Sequence, residues 1–343
     1  MIARGGLERS GLVALWLFFV AFWVFAMVVV GGATRLTGSG LSITQWNPIT
    51  GVVPPLTPQA WMDDFKAYQA TSQYKWVNHG MSLDQFKFIY AWEWGHRFLG
   101  RMVGVVFAAP ALAFVATGRM PRRLIWRCVM LFLLGGAQGV VGWWMVRSGL
   151  EGRVSVAPER LATHLGLAMA LFSALIWTGL DAWRGPNRRP RRDGWSLATA
   201  TLASLVFLQC LMGALVAGNH GGKVDNDWPL MGGHWFPVDY WRGGVWTTLA
   251  HGPAAGQFNH RLGAYVLACV ALGLATAAIR SARAPGSIRL LAGLAACFVV
   301  GQALLGVATL VWAAPLLLAL AHQALAGGVL AICVILAWRG QRQ

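Results

Sequence analysis

The chain has 343 residues, of which 57% are hydrophobic and only 12% charged, and it carries a formal net charge of +16. Its apolar runs reach about 20 residues, enough to cross a hydrocarbon core of about 30 Å as helices, which excludes a soluble globular domain. The basic residues cluster in short segments between these runs, which argues against a nucleic-acid partner. The sequence therefore predicts an all-α integral membrane protein.

Eight membrane-spanning helices are predicted, at approximately 11–33, 87–117, 124–146, 160–180, 195–218, 247–279, 288–312 and 315–338. The first follows the basic residues Arg4 and Arg9 and has no small-residue cleavage site, so we expect a retained helix and not a removed signal. Arginines recur in every second loop, at 118–127, 181–194 and 280–289, and in the tail. The positive-inside rule then places both termini in the cytoplasm of a bacterium, with the spans in its inner membrane.

The opposite side carries two long loops, 34–86 and 219–246, that are rich in Trp, Gly and Pro. A connection of about 50 residues is unusual in length. The first loop is therefore either a cap over a site or a set of aromatic anchors at the membrane interface.

An internal repeat relates the two parts of the chain. Four pairs of residues match, three at an offset of 164 and the last at 158: His96/His260, Gln138/Gln302, Gly142/Gly306 and His164/His322. Because each half contains an even number of spans, both halves have the same orientation in the membrane. We predict two pseudo-symmetric four-helix bundles, residues 1–183 and 184–343.

Apart from His251 at the very end of the sixth span, each even-numbered span contains one histidine in its outer half: His96, His164, His260 and His322. Four histidines at matching depth, paired by a repeat, favour metal or haem ligation over four unrelated core residues. Zinc would need a third or fourth ligand, which the second half does not offer at that depth. Two facing imidazoles are a sufficient axial pair for haem iron. The pattern therefore predicts one haem in each half.

Ionisable residues accompany the histidines and differ between the halves. Glu93 lies three residues before His96 and shares its helix face, whereas Gln257 occupies the matching place in the second half. A carboxyl group can transfer a proton and an amide cannot, so we expect the first half to hold the haem that reacts. Alternatively, Glu93 is neutralised by an ion pair with Arg97. Four arginines are candidate contacts for haem propionates, or else snorkel to the interface: Arg35, Arg97, Arg101 and Arg261.

Several segments together resemble a known family. They are Gly31-Gly32-Ala33-Thr34-Arg35-Leu36-Thr37-Gly38-Ser39-Gly40-Leu41-Ser42, Glu93-Trp94-Gly95-His96-Arg97 with Gly100-Arg101, Asn259-His260-Arg261-Leu262-Gly263, and Ala321-His322. Over essentially its whole length the chain resembles the haem A synthases of the Cox15/CtaA family.

The resemblance implies an oxidoreductase that converts one methyl group of haem O to a formyl group through a hydroxymethyl intermediate, supplying haem A to cytochrome oxidase. It implies that His96 and His164 hold the substrate haem with Glu93 near the reacting methyl, and that His260 and His322 are axial ligands of a haem b cofactor. Implied partners are haem O and haem A, the lipid bilayer, the farnesyltransferase that makes haem O, oxidase assembly factors and a second copy of the chain. Some members have a cysteine pair in the first outer loop. This sequence has none there and fits the cysteine-free subgroup.

Two other functions remain open at this point. A bis-histidine dihaem b electron-transfer protein would not need Glu93 and should show no imbalance between the halves. A transporter, suggested by the repeat alone, should break its helices at matched positions in both halves. Pro110 in span two has no counterpart in span six.

Overall fold

A computed structural model describes residues 10–185 and 191–342. Four basic residues of the predicted cytoplasmic side lie outside these ranges: Arg4, Arg9, Arg188 and Arg189. Within the described residues the chain forms eleven α-helices: α1 (Gly11–Leu36), α2 (Pro58–Gln69), α3 (Ser72–Trp76), α4 (Leu83–Ala116), α5 (Arg122–Leu150), α6 (Pro158–Arg184), α7 (Gly194–Gly218), α8 (Val245–His251), α9 (Pro253–Arg280), α10 (Gly286–Val311) and α11 (Leu316–Gly340).

Eight of these helices are long and apolar enough to cross a membrane: α1, α4, α5, α6, α7, α9, α10 and α11. The prediction of an all-α protein with eight membrane-spanning helices is confirmed. The remaining three, α2, α3 and α8, are short and lie in the two long loops. The chain is a multi-pass membrane protein.

Local signals decide where the long helices begin. The hydroxyl of Ser82 accepts a hydrogen bond from the backbone N–H of Gln85, whose side chain bonds back to the N–H of Ser82. This reciprocal cap satisfies N–H groups that a helix start otherwise leaves unpaired, so α4 begins earlier than predicted. The side chain of Asp193 caps α7 in a similar way, by accepting from the N–H of Ser196 at 3.0 Å.

The sixth span differs from its prediction. A single helix over 247–279 was expected, whereas α8 ends at His251 and α9 begins at Pro253. Between them Gly252 is extended, with φ −83° and ψ 111°. A residue before proline is driven out of the helical region by the proline ring, so the chain changes direction there. The apolar run alone did not reveal this break.

The long helices pack in two rings. In one, α1 packs on α4, α4 on α5, α5 on α6, and α6 back on α1. In the other, α7, α9, α10 and α11 follow the same scheme, and α6 and α1 contact α7 and α11 across the boundary. One apolar core runs through both rings. The order of contacts follows the order of the chain, as short loops between antiparallel helices require.

The first long loop is folded. A second small core joins α2 to the start of α4 through Phe65, Tyr68, Phe86, Ile89 and Tyr90. We call the end of the molecule that holds loops 37–82 and 219–252 the long-loop side, and the opposite end, with loops 117–121 and 281–285, the basic side. Because α2 is packed on α4, the first long loop has a fixed position over the helix ends.

Candidate functional site

Four histidines lie between the long helices, each against a glycine of the preceding spanning helix. A Cβ added at the glycine would come within 2.9–3.1 Å of a ring atom in every case. The pairs are Gly31 with His96, Gly142 with His164, Gly213 with His260, and Gly306 with His322. Any larger residue would displace the imidazole, so glycine allows the ring to lie close to the neighbouring backbone. The four histidines are recognisable in the sequence, whereas the glycines on which they pack are not.

The two histidines of the second ring face each other. The ring centres of His260 and His322 are 6.4 Å apart, and the rings are inclined at 83°. A metal bonded to one nitrogen of each ring at about 2 Å places the two ring centres roughly 6 Å apart. The pair therefore fits one metal ion between the imidazoles. His96 and His164 form no corresponding ring contact within the described ranges.

A glutamine four residues before the glycine fastens three of the histidines. The amide Nε2 of Gln209 donates to the backbone carbonyl of His260 at 2.8 Å and lies 3.0 Å from its Nδ1. Gln302 makes the same two contacts with His322, at 2.9 and 3.1 Å. Gln138 donates to the carbonyl of His164 at 3.1 Å. Sequence analysis missed Gln209, although the recurring Gln-x3-Gly spacing at 138, 209 and 302 signals it.

Glu93 is buried at the centre of a hydrogen-bond network. Its Oε2 accepts from the hydroxyl of Ser42 at 2.7 Å and from the N–H of Ile43 at 2.9 Å. Its Oε1 accepts from Nη2 and Nε of Arg97, at 2.7 and 3.2 Å. The same guanidinium donates to the carbonyls of Ile43 and Gln45. Glu93 and Arg97 together tie the first long loop to α4.

In the second ring, a helix is joined to the second long loop by corresponding hydrogen bonds, but here the loop supplies acceptors where the first loop supplies donors. Nε2 of Gln257 donates to the carbonyls of Gly221 and Asp225, at 2.7 and 3.1 Å, and its Oε1 accepts from Arg261 at 2.8 Å. Arg261 also donates to the carbonyls of Leu230 and Asp225. The loop presents acceptors here, so the site requires a donor, and an amide supplies one.

The first long loop covers the end of the first ring. Trp46 stacks on Trp143 of α5, with ring centres 6.1 Å apart and planes inclined at 6°. The guanidinium of Arg97 lies 5.6 Å from the centre of the same Trp143 ring. Trp143 follows Gly142, the residue against which His164 packs. This part of the loop therefore caps the site, while the exposed Ile49 and Trp76 are placed as interfacial anchors would be.

The four predicted arginines differ in what they bind. Arg97 and Arg261 are engaged as described, and Arg101 donates to the carbonyls of Pro48 and Asn47, each at 2.9 Å. The side chain of Arg35 has no hydrogen-bond or ion-pair partner within the described residues. Burial, followed by the charges of Arg35 and Lys223, lowers the pKa of His220 in the neighbouring loop. The end of α1 is therefore a cationic position where an anionic group would be stabilised.

A small cavity lies beside the hydrogen bonds between Arg97 and the first long loop. Its volume is about 50 Å³, and its lining includes residues 42–47, Asp64, Tyr90, Arg97 and Arg101. Burial raises the pKa of Asp64, which belongs to α2 outside the membrane-spanning helices. A polar cavity of this size holds a few water molecules. The guanidinium of Arg97 therefore borders a space that holds water.

The fold and this site define a multi-pass helical membrane protein with four partly buried histidines between its long helices. No group of three or more His, Cys, Asp or Glu side chains in the described ranges could hold a bare metal ion, whereas a haem needs only the two axial ligands. The chain belongs to the COX15-CtaA family, described as cytochrome oxidase assembly proteins, whose model matches residues 14–334.

Several relatives are named "Heme A synthase". The protein of Caulobacter vibrioides is 54% identical over 335 residues, covering 98% of each chain. That of Parvibaculum lavamentivorans is 46% identical over 96% of this chain and 94% of its own. That of Paracoccus denitrificans is 44% identical over 94% and 86%. These comparisons confirm the family recognised in the sequence and give no support to a dihaem electron carrier.

Proposed function

We propose that this protein is a haem A synthase, an oxidoreductase that converts a methyl group of haem O to a formyl group through a hydroxymethyl intermediate. Two pairs of histidines, each packed on glycine, carry the proposal in a chain whose full-length relatives bear that name. The product, haem A, would supply cytochrome oxidase, in keeping with the family description.

We assign the resident haem b to the second half, with His260 and His322 as axial ligands. The support is their facing arrangement, with ring centres 6.4 Å apart. Both ligands are also fastened by a glutamine, Gln209 or Gln302. When bound, this haem would supply a one-electron redox centre. Two histidines whose positions are fixed in this way suit a cofactor that stays bound to the protein.

We assign the substrate haem O to the first half, with His96 and His164 as ligands. Its helices leave more room, because α4 and α5 pack on each other more sparsely than α9 and α10 do. This looser packing suits a bulky ligand that enters and leaves.

Glu93 is proposed as the catalytic residue near the reacting methyl group. All its hydrogen-bonding positions towards Ser42, Ile43 and Arg97 are filled, so proton transfer requires one bond to open. The bond to Ser42 is the one whose loss leaves no charge and no backbone N–H unpaired. Of the candidate propionate contacts, the Arg35 side chain has no partner among the described residues, whereas Arg97, Arg101 and Arg261 would have to release loop carbonyls.

We further propose that the basic side faces the cytoplasm of a bacterium, with both termini there. Arg119, Arg122, Arg283 and Arg339 lie on this side, as the positive-inside rule requires. Proposed partners remain the farnesyltransferase that supplies haem O, oxidase assembly factors and a second copy of the chain. The two halves, 1–183 and 184–343, are proposed as the substrate and cofactor units.

Haem extraction and mass analysis of the purified protein, expressed with and without a haem O source, tests this proposal. We expect haem b under both conditions, and haem O with hydroxymethyl or formyl products only when haem O is supplied. His322→Ala should lose haem b, and His164→Ala should lose the substrate-derived haem. His79→Ala and His234→Ala, at exposed loop positions, are matched controls that should keep both. Haem b alone under both conditions, or no haem at all, would overturn the proposal.

A further inference from the structure

Three of the four histidines share one environment, and the fourth does not. The amide of Gln138, Gln209 or Gln302 binds the backbone carbonyl of its histidine and, for His260 and His322, also lies beside Nδ1. In each case the carbonyl Oε1 of the glutamine is buried and has no hydrogen-bond partner. The glutamine thus reaches the histidine with one end of its amide and keeps an unused acceptor.

The place that corresponds to these glutamines in α1 is occupied by Met27, four residues before Gly31. A thioether has no N–H to donate and is a weak acceptor. The side chain of His96 has no hydrogen-bond partner within the described part of the chain. Its orientation also differs, since Nε2 is the ring atom closest to Gly31, whereas Cε1 is closest to the glycine at the other three sites.

The unused acceptors matter because of the chemistry of an axial imidazole. A histidine that binds iron through Nε2 carries its proton on Nδ1, and the partner of that N–H fixes the orientation and basicity of the ring. A half-turn of the Gln209 or Gln302 amide brings Oε1 to the position from which Nε2 now contacts Nδ1, and the bond from Nε2 to the backbone carbonyl is given up. Such outer partners are worth about 10- to 100-fold in metal affinity.

We propose that Gln138, Gln209 and Gln302 are positioning residues that orient three of the four axial histidines, and that Met27 leaves His96 as the exchangeable ligand. This inference rests on the proposed haem sites and adds to them which ligand releases the haem. In the second half both ligands are oriented, which retains the cofactor. In the first half Gln138 holds only the backbone carbonyl of His164, whose Nδ1 is buried without a partner in the described ranges. His96 lacks even this contact, so it is the ligand from which haem is released.

The inference is tested by substitutions that remove the glutamine beside His322 and introduce one beside His96. The purified, haem-loaded variants are mixed with an excess of haem-free globin, and the rate of loss of each haem type is followed. We expect Gln302→Met to lose haem b about 10- to 100-fold faster than the native chain, and Gln302→Glu, which keeps an acceptor, to restore slow loss. Met27→Gln should slow the loss of the substrate-derived haem about tenfold, whereas Met27→Leu should leave it unchanged.

The spectrum of the ferric protein separates orientation from simple support of the fold. We expect Gln302→Met to shift the low-spin electron paramagnetic resonance signal of haem b. A glutamine that only braces its helix would lower the melting temperature and leave this signal unchanged. Unchanged signals and rates in Gln302→Met would overturn the positioning role, and equal rates in Met27→Gln and Met27→Leu would overturn the role of His96. Failure of the native chain to bind haem would instead refute the proposed function.

Discussion

At the residue scale, Glu93 and Gln257 occupy matching positions but meet loops of opposite polarity. Glu93 faces two donors, the hydroxyl of Ser42 and the N–H of Ile43. Gln257 faces two carbonyl acceptors. The difference between acid and amide is therefore required by the loops themselves, in addition to any role in proton transfer.

Exchanging the two residues should destabilise both loops. Glu93→Gln cannot accept from Arg97 and Ile43 without turning its own N–H group towards one of them, and leaving such a buried group unpaired costs about 1–3 kcal/mol. Gln257→Glu brings a carboxylate against two carbonyls and should cost at least as much. Thermal unfolding and limited proteolysis of the long loops provide the measurements.

Product analysis of Glu93→Gln separates the two roles of this residue. We expect both haems to bind and the formyl product to be lost, since an amide transfers no proton. Gln257→Glu, the matched change in the second half, should still form the product wherever it folds. A normal yield of haem A from Glu93→Gln would contradict a catalytic role.

Asp227 gives the second long loop a pH dependence. Its carboxylate accepts from the N–H groups of Gly232 and Gly233, at 2.9 and 3.0 Å, and these bonds lower its pKa below the ordinary value of 3.8. A lowered pKa means that the stabilisation is present above 3.8 and is lost as the pH falls through the folded value. The protection of the backbone amides of residues 227–233 against hydrogen exchange, relative to an unfolded chain, should therefore fall below about pH 4. Asp227→Asn should exchange fast at every pH, and a loop insensitive to pH in the native chain would contradict this.

At the element scale, Asp181 joins three helices on the basic side. Its carboxylate pairs with Arg127 of α5 and accepts from Nε1 of Trp338 in α11 at 2.9 Å. Arg342, just beyond α11, donates to it at 3.2 Å. The carboxylate is only 10% exposed, so it is a nearly buried acid that neutralises two arginines. Removing its charge leaves both of them without a counter-ion.

We expect Asp181→Asn to lower the stability of the helix assembly by about 1–3 kcal/mol, less than a fully buried pair because Arg127 is half exposed. Glu151→Gln is the matched control, since Glu151 pairs with Arg147 and both side chains are more than half exposed. That change should cost under about 1 kcal/mol. Thermal unfolding in detergent compares the two, and equal effects would contradict the bridging role of Asp181.

At the scale of the whole molecule, α1 and α6 of one ring pack against α7 and α11 of the other, and the contact between α1 and α11 is part of this seam. Nε2 of Gln323 donates to the backbone carbonyl of Val28 across this boundary. Close approach of the helices relies on glycine, because a Cβ at Gly327 would lie 2.8 Å from the ring of Phe25. The two rings are therefore held in a fixed relation by a tightly packed seam.

Gly327→Ala should weaken this seam by about 1–3 kcal/mol, the usual cost of overpacking against a rigid ring. Gly328→Ala is a matched control one residue along, where a Cβ would meet no atom within 4 Å. The effect is measured by denaturation of the two variants, together with the rate of electron exchange between the haems. A loss of stability in Gly328→Ala equal to that in Gly327→Ala would contradict it.

Many residues of the site could be predicted from the sequence, but the residues that contact them in the fold could not. The residues His96, His260, Glu93 and Gln257 are recognisable because ionisable or amide groups are rare inside apolar runs. Gln209 is 51 residues from His260 in the chain, and nothing local to either residue pairs them. The sequence shows a proline at position 253 but does not show that the helix ends before it. That break depends on how α8 turns towards the loop.

The sequence by itself determined the class of protein, the eight helices and the four histidines, because hydrophobic run length and residue type are local properties of the chain. Only the tertiary structure decided which glycine and glutamine meet each histidine, which loop groups surround Glu93 and Gln257, and that α4 and α5 pack loosely. These depend on the rotation of each helix about its axis and on the path of the long loops. Both are set by packing between residues far apart in sequence.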